Sequence, residues 1–186
     1  MKLEKFTSRY IEKFVQILNL NQSQKKKIIE IFKLFKNINS KNTVHVFGNG
    51  GSASIASHFS MDLTNNSKIK CVCYNDPSII TCYSNDFGYE NWISRVIKKY
   101  GIKGDFLVLI SSSGKSKNMI KGLNEARKKK FKKIISFTGF DKKNYLNRKS
   151  DLGFWINSKD YNIIENAHQF LLLLVVDMIK HFKKKF

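Results

Sequence analysis

Phe106-Leu-Val-Leu-Ile110 is an unbroken apolar run, with Asp105 before it and Ser111-Ser-Ser-Gly114 after it. A strand with one face in water alternates polar and apolar residues. A run without alternation is a strand buried on both faces, which requires a layer of helix on each side. The rest of the chain supplies such layers. Further strands are predicted at Thr43–Phe47, Ile69–Tyr74, Lys133–Phe137 and Leu152–Ile156, with helices at 91–100, 117–130, 142–149 and 161–182. Asn75-Asp76-Pro77 breaks the second strand, and Ser78–Ser84 reads as a short helix or turn. Strands alternating with helices predict an α/β fold with a doubly wound, five-stranded parallel sheet, in one domain covering residues 1–186.

Leu3–Leu18 and Gln22–Ile38 are amphipathic helices ahead of the first strand, more than a minimal α/β unit needs. The broad apolar face of the second (Ile28, Ile29, Ile31, Phe32, Leu34 and Phe35) predicts burial against the sheet or another subunit, so residues 1–40 are expected to serve oligomerisation.

The formal charge is +20, yet only four of the 34 basic residues are arginine. Bidentate recognition of phosphates and bases favours arginine, so nucleic acid is not the expected partner. The lysines are spread along the chain, with runs at Lys25–Lys27, Lys128–Lys130 and Lys183–Lys185, as on a solvated surface that draws anions toward a cleft. Cys71 and Cys73 lack further Cys or His at ligand spacing. With Cys82 they read as free thiols of a reducing cytoplasm. Met1–Tyr10 is charged and amphipathic, unlike a leader peptide, and the apolar run Phe170–Val176 is too short to span a bilayer, so a cytoplasmic chain without a membrane segment is expected.

Two loops carry the chemistry. In Val44–Leu63 a short strand runs into Gly48-Asn49-Gly50-Gly51-Ser52 and then a helix, so backbone N–H groups and a positive helix end face one point suited to an anion. On that helix His58 and Asp62 sit four residues apart on one face, either a functional pair or an ordinary surface pair. The second loop, Ser111-Ser112-Ser113-Gly114-Lys115-Ser116, offers hydroxyls and N–H groups at another helix start. Gly48-x-Gly50-x-x-Ala53 also fits a dinucleotide fingerprint with Asp76 as ribose partner, but that fold needs no serine loop, and no nucleotide cofactor is expected. Gly114-Lys115-Ser116 is no P-loop, because Leu109 stands where that pattern needs glycine. A phosphorylated sugar uses both loops, with its phosphate in the serine loop and its hydroxyls reaching the first.

The motifs GNGGSASIASHF, NDFGYE, LVLISSSGKSKNMIKGLNEAR and the ENAH of the last helix resemble the phosphoheptose isomerases, sugar isomerase (SIS) domain proteins that convert sedoheptulose 7-phosphate to a heptose phosphate. The resemblance spans nearly the whole chain. It implies a flavodoxin-like SIS fold and a homotetramer with active sites between subunits. It further implies substrate contacts at Asn49, Gly50, Gly51, Ser52, Asn85, Asp86 and Glu165, phosphate contacts at Ser111, Ser112, Ser113 and Ser116, and a zinc ligand at His58.

Three positions depart from the family. Asp62 stands for its catalytic, metal-binding Glu, Glu165 for a Gln, and Leu173 for its second catalytic His. A zinc site of His58, Asp62 and Glu165 keeps one imidazole, two carboxylates and an open position. Aldose–ketose isomerisation through an enediol needs a base and an acid. Asp62 is the expected base, and His168, which shares a helix face with Glu165, is a candidate acid that also reads as structural. Because Leu173 moves no protons, a phosphosugar-binding protein without catalysis stands as the alternative to an isomerase.

Overall fold

The computed structural model describes residues 2–183, so Lys184 and Lys185 of the last lysine run lie outside the described residues. In chain order the elements are α1 (Lys2–Leu18), α2 (Gln22–Lys36), β1 (Val44–Gly48), α3 (Gly51–Ser67), β2 (Cys71–Cys73), α4 (Pro77–Phe87), a 3₁₀ turn (Tyr89–Asn91), α5 (Trp92–Tyr100), β3 (Phe106–Ser111), α6 (Lys117–Lys128), β4 (Lys133–Thr138), α7 (Tyr145–Lys149), β5 (Leu152–Trp155) and α8 (Tyr161–Lys183). The strands form one sheet in the order β2-β1-β3-β4-β5, with every pairing parallel.

Strand β3 lies at the centre and every residue of it is buried. Its alternate residues feed two cores. Phe106, Val108 and Ile110 pack with α2, α3 and α8, and Leu107 and Leu109 pack with α5 and α6. Helix α8 has the length and apolarity of a membrane span, unlike the shorter run singled out above, but half of that window is buried inside the fold, as in the core helix of an α/β domain.

Three elements differ from expectation. The second strand shrinks to Cys71–Cys73 because it is the sheet edge, paired to β1 only from Val44↔Cys71 to Val46↔Cys73, with Val72 exposed. The short helix or turn expected at Ser78–Ser84 is a longer helix, the eleven-residue α4: Asp76 accepts from the Ser78 and Ile79 N–H groups (2.8 and 3.4 Å) and Pro77 opens the helix, so the residues that end β2 also start α4. Helix α7 begins only at Tyr145, where Asn144 accepts from the Asn147 N–H at 2.9 Å. The second leading helix carries a capping box: Asn21 and Gln24 bond each other's backbone N–H at 3.0 Å. Helix α1 buries none of its residues, and Leu3, Phe6, Ile11 and Val15 are exposed.

Candidate functional site

Gly48 of β1 lies opposite Ile110 of β3, so the loops that follow these two strands leave the same edge of the sheet side by side. The chain turns from β1 toward β2 on one side and later reaches β3 on the other, which makes this the switch point of the sheet, where open α/β folds bind ligands. A cavity of about 130 Å³ occupies it, walled by Asn49 and Ser52 of the first loop, the serine loop, and Tyr161 and Glu165 of α8.

Gly50 turns the first loop into α3 with φ +55°, a left-handed backbone that side chains disfavour. Gly51 leaves room for the Glu165 carboxylate, which a Cβ there would push aside. Glu165 Oε1 accepts from the Ser52 hydroxyl at 3.2 Å. A carboxylate therefore sits at the positive end of α3 and takes the place a phosphate would have there.

The start of α6 remains open to an anion. Ser116 stands at its N-cap without a side-chain hydrogen bond to the helix. The Ser112 hydroxyl, in a residue only 5% exposed, has no partner among the described residues. A buried, unpaired hydroxyl costs free energy unless a ligand or water completes it. Ser111 and Ser113 shape the loop instead: Ser111 Oγ accepts from the Gly114 N–H (3.2 Å) and Ser113 Oγ from the Lys115 N–H (3.3 Å).

The two loops are tied together. Asn49 and Asn118 exchange amide hydrogen bonds of 3.1 and 2.9 Å, and the Tyr89 hydroxyl donates to Asn49 Oδ1 at 3.1 Å. Asn118, Tyr89 and Tyr161 were not singled out from the sequence. NDFGYE already contained Tyr89, and Asn118 follows the serine loop by two residues, but their convergence on Asn49 spans long stretches of chain.

Several expected residues stand elsewhere. Asn85 and Asp86 are exposed near the end of α4, bonded to each other at 3.1 Å and absent from the cavity wall. Asp76 is engaged as a helix cap and is not free for a ribose. His168 is fully buried, its Nε2 lies 3.2 Å from the Thr138 carbonyl, and burial lowers its pKa to about 4. It is a core histidine against Phe137 and has no access to substrate, which corrects its candidacy as acid.

The expected metal set is also not assembled. His58 Nε2 lies 3.3 Å from Asp62 Oδ2, and the Gln169 amide reaches His58 Nδ1 at 3.4 Å. Glu165, however, meets α3 at Gly51 and Ser52, and His58 is six residues further on, about 9 Å along the axis. Among the described residues no three His, Cys, Asp or Glu side chains form a metal-holding group. The donors of one chain therefore do not fit a zinc ion. Cys71 is buried, which raises its thiol pKa, and all three cysteines are free.

The sheet order and the paired loops define the class as a SIS domain, whose family model matches residues 9–139. Over 159 residues the chain is 33% identical to the phosphoheptose isomerase of Helicobacter pylori, with 82% of each chain covered. It is 39% identical over 135 residues to that of Glaesserella parasuis, covering 68% of this chain and 70% of the relative. The structure of a phosphoheptose isomerase from Francisella tularensis superposes with a TM-score of 0.85 at 23% identity, over 97% of this chain and 99% of the other. The chain belongs to the phosphoheptose isomerase family.

Proposed function

We propose that this protein is a sugar-phosphate isomerase that interconverts a ketose and an aldose phosphate through an enediol, with sedoheptulose 7-phosphate as the leading substrate. The observation that carries the reading is the asymmetry of the two helix starts. The start of α3 already holds the Glu165 carboxylate, whereas the start of α6 presents the unpartnered Ser112 hydroxyl and an uncapped N-terminus. The phosphate belongs in the serine loop, on Ser112, Ser116 and the first N–H groups of α6, with Ser111 and Ser113 holding the loop in shape. The sugar chain then runs toward Asn49, Gly50, Gly51 and Ser52. Asn85 and Asp86 lie on α4 beside the Tyr89 segment and reach a substrate only where a longer sugar extends past the cavity.

Incubation with sedoheptulose 7-phosphate, followed for aldose formation, tests the reading. Turnover supports it. If the phosphosugar raises the melting temperature while no product forms at high enzyme concentration, the chain is a phosphosugar-binding protein without catalysis, the reading that Leu173 favours. Ligand at about 100 times its Kd stabilises by about 2.7 kcal/mol, so binding alone is detectable.

We further propose a homo-oligomer, in which second copies cover the exposed apolar residues of α1. Residues 1–186 are read as one cytoplasmic domain in which α1 serves assembly, while α2 buries Ile28, Ile31 and Phe35 in the chain's own core. Light scattering tests the assembly, and a monomer at working concentration would overturn it.

A further inference from the structure

We propose that Glu165 is the catalytic residue that carries the carbon-bound proton in this crevice, with Ser52 as its positioning residue. The proposal rests on the isomerase reading above. Of the side chains around the cavity, Glu165 is the one carboxylate; the others offer amides, hydroxyls, the Tyr161 phenol and the apolar Ile110. Amides and neutral hydroxyls are poor proton acceptors, and a phenol at neutral pH is a donor.

The carboxylate is prepared for the task. Ser52 holds Oε1 at 3.2 Å, and Oε2 rests against Gly51, the residue whose missing Cβ leaves room for it. No further hydrogen bond to Glu165 is made among the described residues, so Oε2 keeps lone pairs free for a proton. The group thus has a fixed direction and an unused acceptor, as a base in a positioned transfer requires.

The carboxylate on α3, Asp62, is less well placed. It is ten residues beyond Ser52 on α3, about 15 Å along the axis, and is already engaged by His58 at 3.3 Å. Neither His58 nor Asp62 lines the cavity.

The proton balance closes without an oxidant or reductant. A Glu165 oxygen takes the hydrogen from the hydroxyl-bearing carbon beside the carbonyl. The C–H electron pair becomes the new C=C bond, and the C=O pair moves onto oxygen, which takes a proton from a crevice hydroxyl or water. That donor then recovers a proton from the neighbouring hydroxyl as the new carbonyl forms. Glu165 returns its proton to the adjacent carbon. A ketose phosphate has become an aldose phosphate.

The test uses the full chain with sedoheptulose 7-phosphate in deuterium oxide, reading turnover, deuterium on carbon and substrate affinity. Glu165→Gln keeps the shape and the contact with Ser52 but not the base, so turnover and deuterium uptake should fall about 100- to 10,000-fold while affinity stays within about threefold. Glu165→Asp returns a carboxylate one methylene short and should recover part of the loss, which a purely structural role would not predict. Glu165→Gln turning over within about threefold of the wild type overturns the proposal and leaves the isomerase reading standing. A wild-type protein that binds the phosphosugar but neither exchanges deuterium nor forms product sinks the isomerase reading, and the proposal with it.

Discussion

The two edges of the sheet carry similar chemistry in opposite states of completion. At the amino edge, Asp105 accepts from the Thr43 and Ile102 N–H groups and from His45 Nε2, each at 2.9 Å, and from the Asn42 amide at 3.3 Å. With the His45 proton on Nε2, Nδ1 accepts from the Tyr74 hydroxyl at 3.2 Å. Burial pushes the Asp105 carboxyl up, but these hydrogen bonds outweigh it and hold its pKa below the ordinary value. Burial, and then the Asp105 charge, push the Tyr74 phenol up to about 12. Asp, His and Tyr in a line have the composition of a catalytic relay, yet every member is satisfied within the fold and shut from solvent. The carboxyl edge has plainer residues, two serines and a glutamate, with hydrogen-bonding capacity left over. Other buried polar atoms among the described residues also lack partners, but of these only the Ser112 hydroxyl lines the cavity, and this unused capacity, more than residue type, sets the carboxyl edge apart.

The sharpest way to break this contrast is at the amino edge. Asp105→Asn leaves His45 and two backbone donors facing an amide in place of a carboxylate. The amide nitrogen then faces two N–H donors, and each hydrogen bond lost to a charged acceptor is worth about 1.5 to 3 kcal/mol, so urea unfolding should show a loss of about 3 to 6 kcal/mol. KM for the phosphosugar should not change in the fraction that folds. A change in KM with little loss of stability would mean that the amino edge belongs to the site.

His168 provides the next test, because it is the other buried histidine and the one near the site in sequence. Its folded pKa of about 4 lies below the ordinary 6.5, so the unfolded chain binds the proton first as pH falls. The contribution is therefore intact above about pH 6.5, is lost progressively between 6.5 and 4, and amounts to something on the order of 3 kcal/mol. His168→Gln keeps a donor for the Thr138 carbonyl but does not titrate, so its stability should fall less over that window. Urea midpoints at pH 7, 5.5 and 4 for both proteins check this. Parallel curves would show that His168 does not stay neutral in the core.

The same residues show what a sequence can and cannot reveal here. The central strand was legible because burial on both faces removes alternation, and the glycine and serine loops because their backbone demands few other residues. The burial of His168 was legible too: it lies on the α8 stripe of Ile164, Ala167, Leu171 and Leu172, all buried, although its place beside Glu165 suggested catalysis. Helix α4 extends one residue before and three beyond Ser78–Ser84: Asp76-Pro77 both ends a strand and opens the helix, and its last turn is Asn85-Asp86-Phe87, residue types that also suit a loop. The metal set failed because residue spacing places His58 and Asp62 together but says nothing about how α8 slides along α3. Which hydroxyl is already spent depends on loop conformation, so Ser111 and Ser112 look identical in sequence and differ in the fold.

That difference yields a prediction for the carboxyl edge. Ser112→Ala removes a buried hydroxyl with no partner among the described residues, so unfolding free energy should stay within about 0.5 kcal/mol of the wild type or rise. A hydrogen bond to a charged group is worth about 1.5 to 3 kcal/mol, so phosphosugar affinity should drop about 10- to 100-fold by calorimetry. A Ser112→Ala protein that is destabilised yet binds normally would show that the hydroxyl serves the fold and would erase the contrast between the edges.

The smallest effect expected is at Tyr89, where the two kinds of bonding meet. Its hydroxyl is exposed to solvent and donates to Asn49, whose amide is already paired with the buried Asn118 across the loops. Tyr89→Phe deletes one donor and leaves the amide pair in place, so stability should fall by about 0.5 to 1.5 kcal/mol at most. The amide pair alone then sets the spacing between the first loop and the start of α6. If that pair suffices, KM and kcat stay close to wild type. If the tyrosine is what keeps Asn49 turned toward Asn118, KM rises while kcat holds, because the phosphate and sugar subsites drift apart without any change in the proton-transfer group. Steady-state kinetics on this one variant separates the two outcomes. Only the second would extend the site beyond its two loops to the 3₁₀ turn at Tyr89–Asn91.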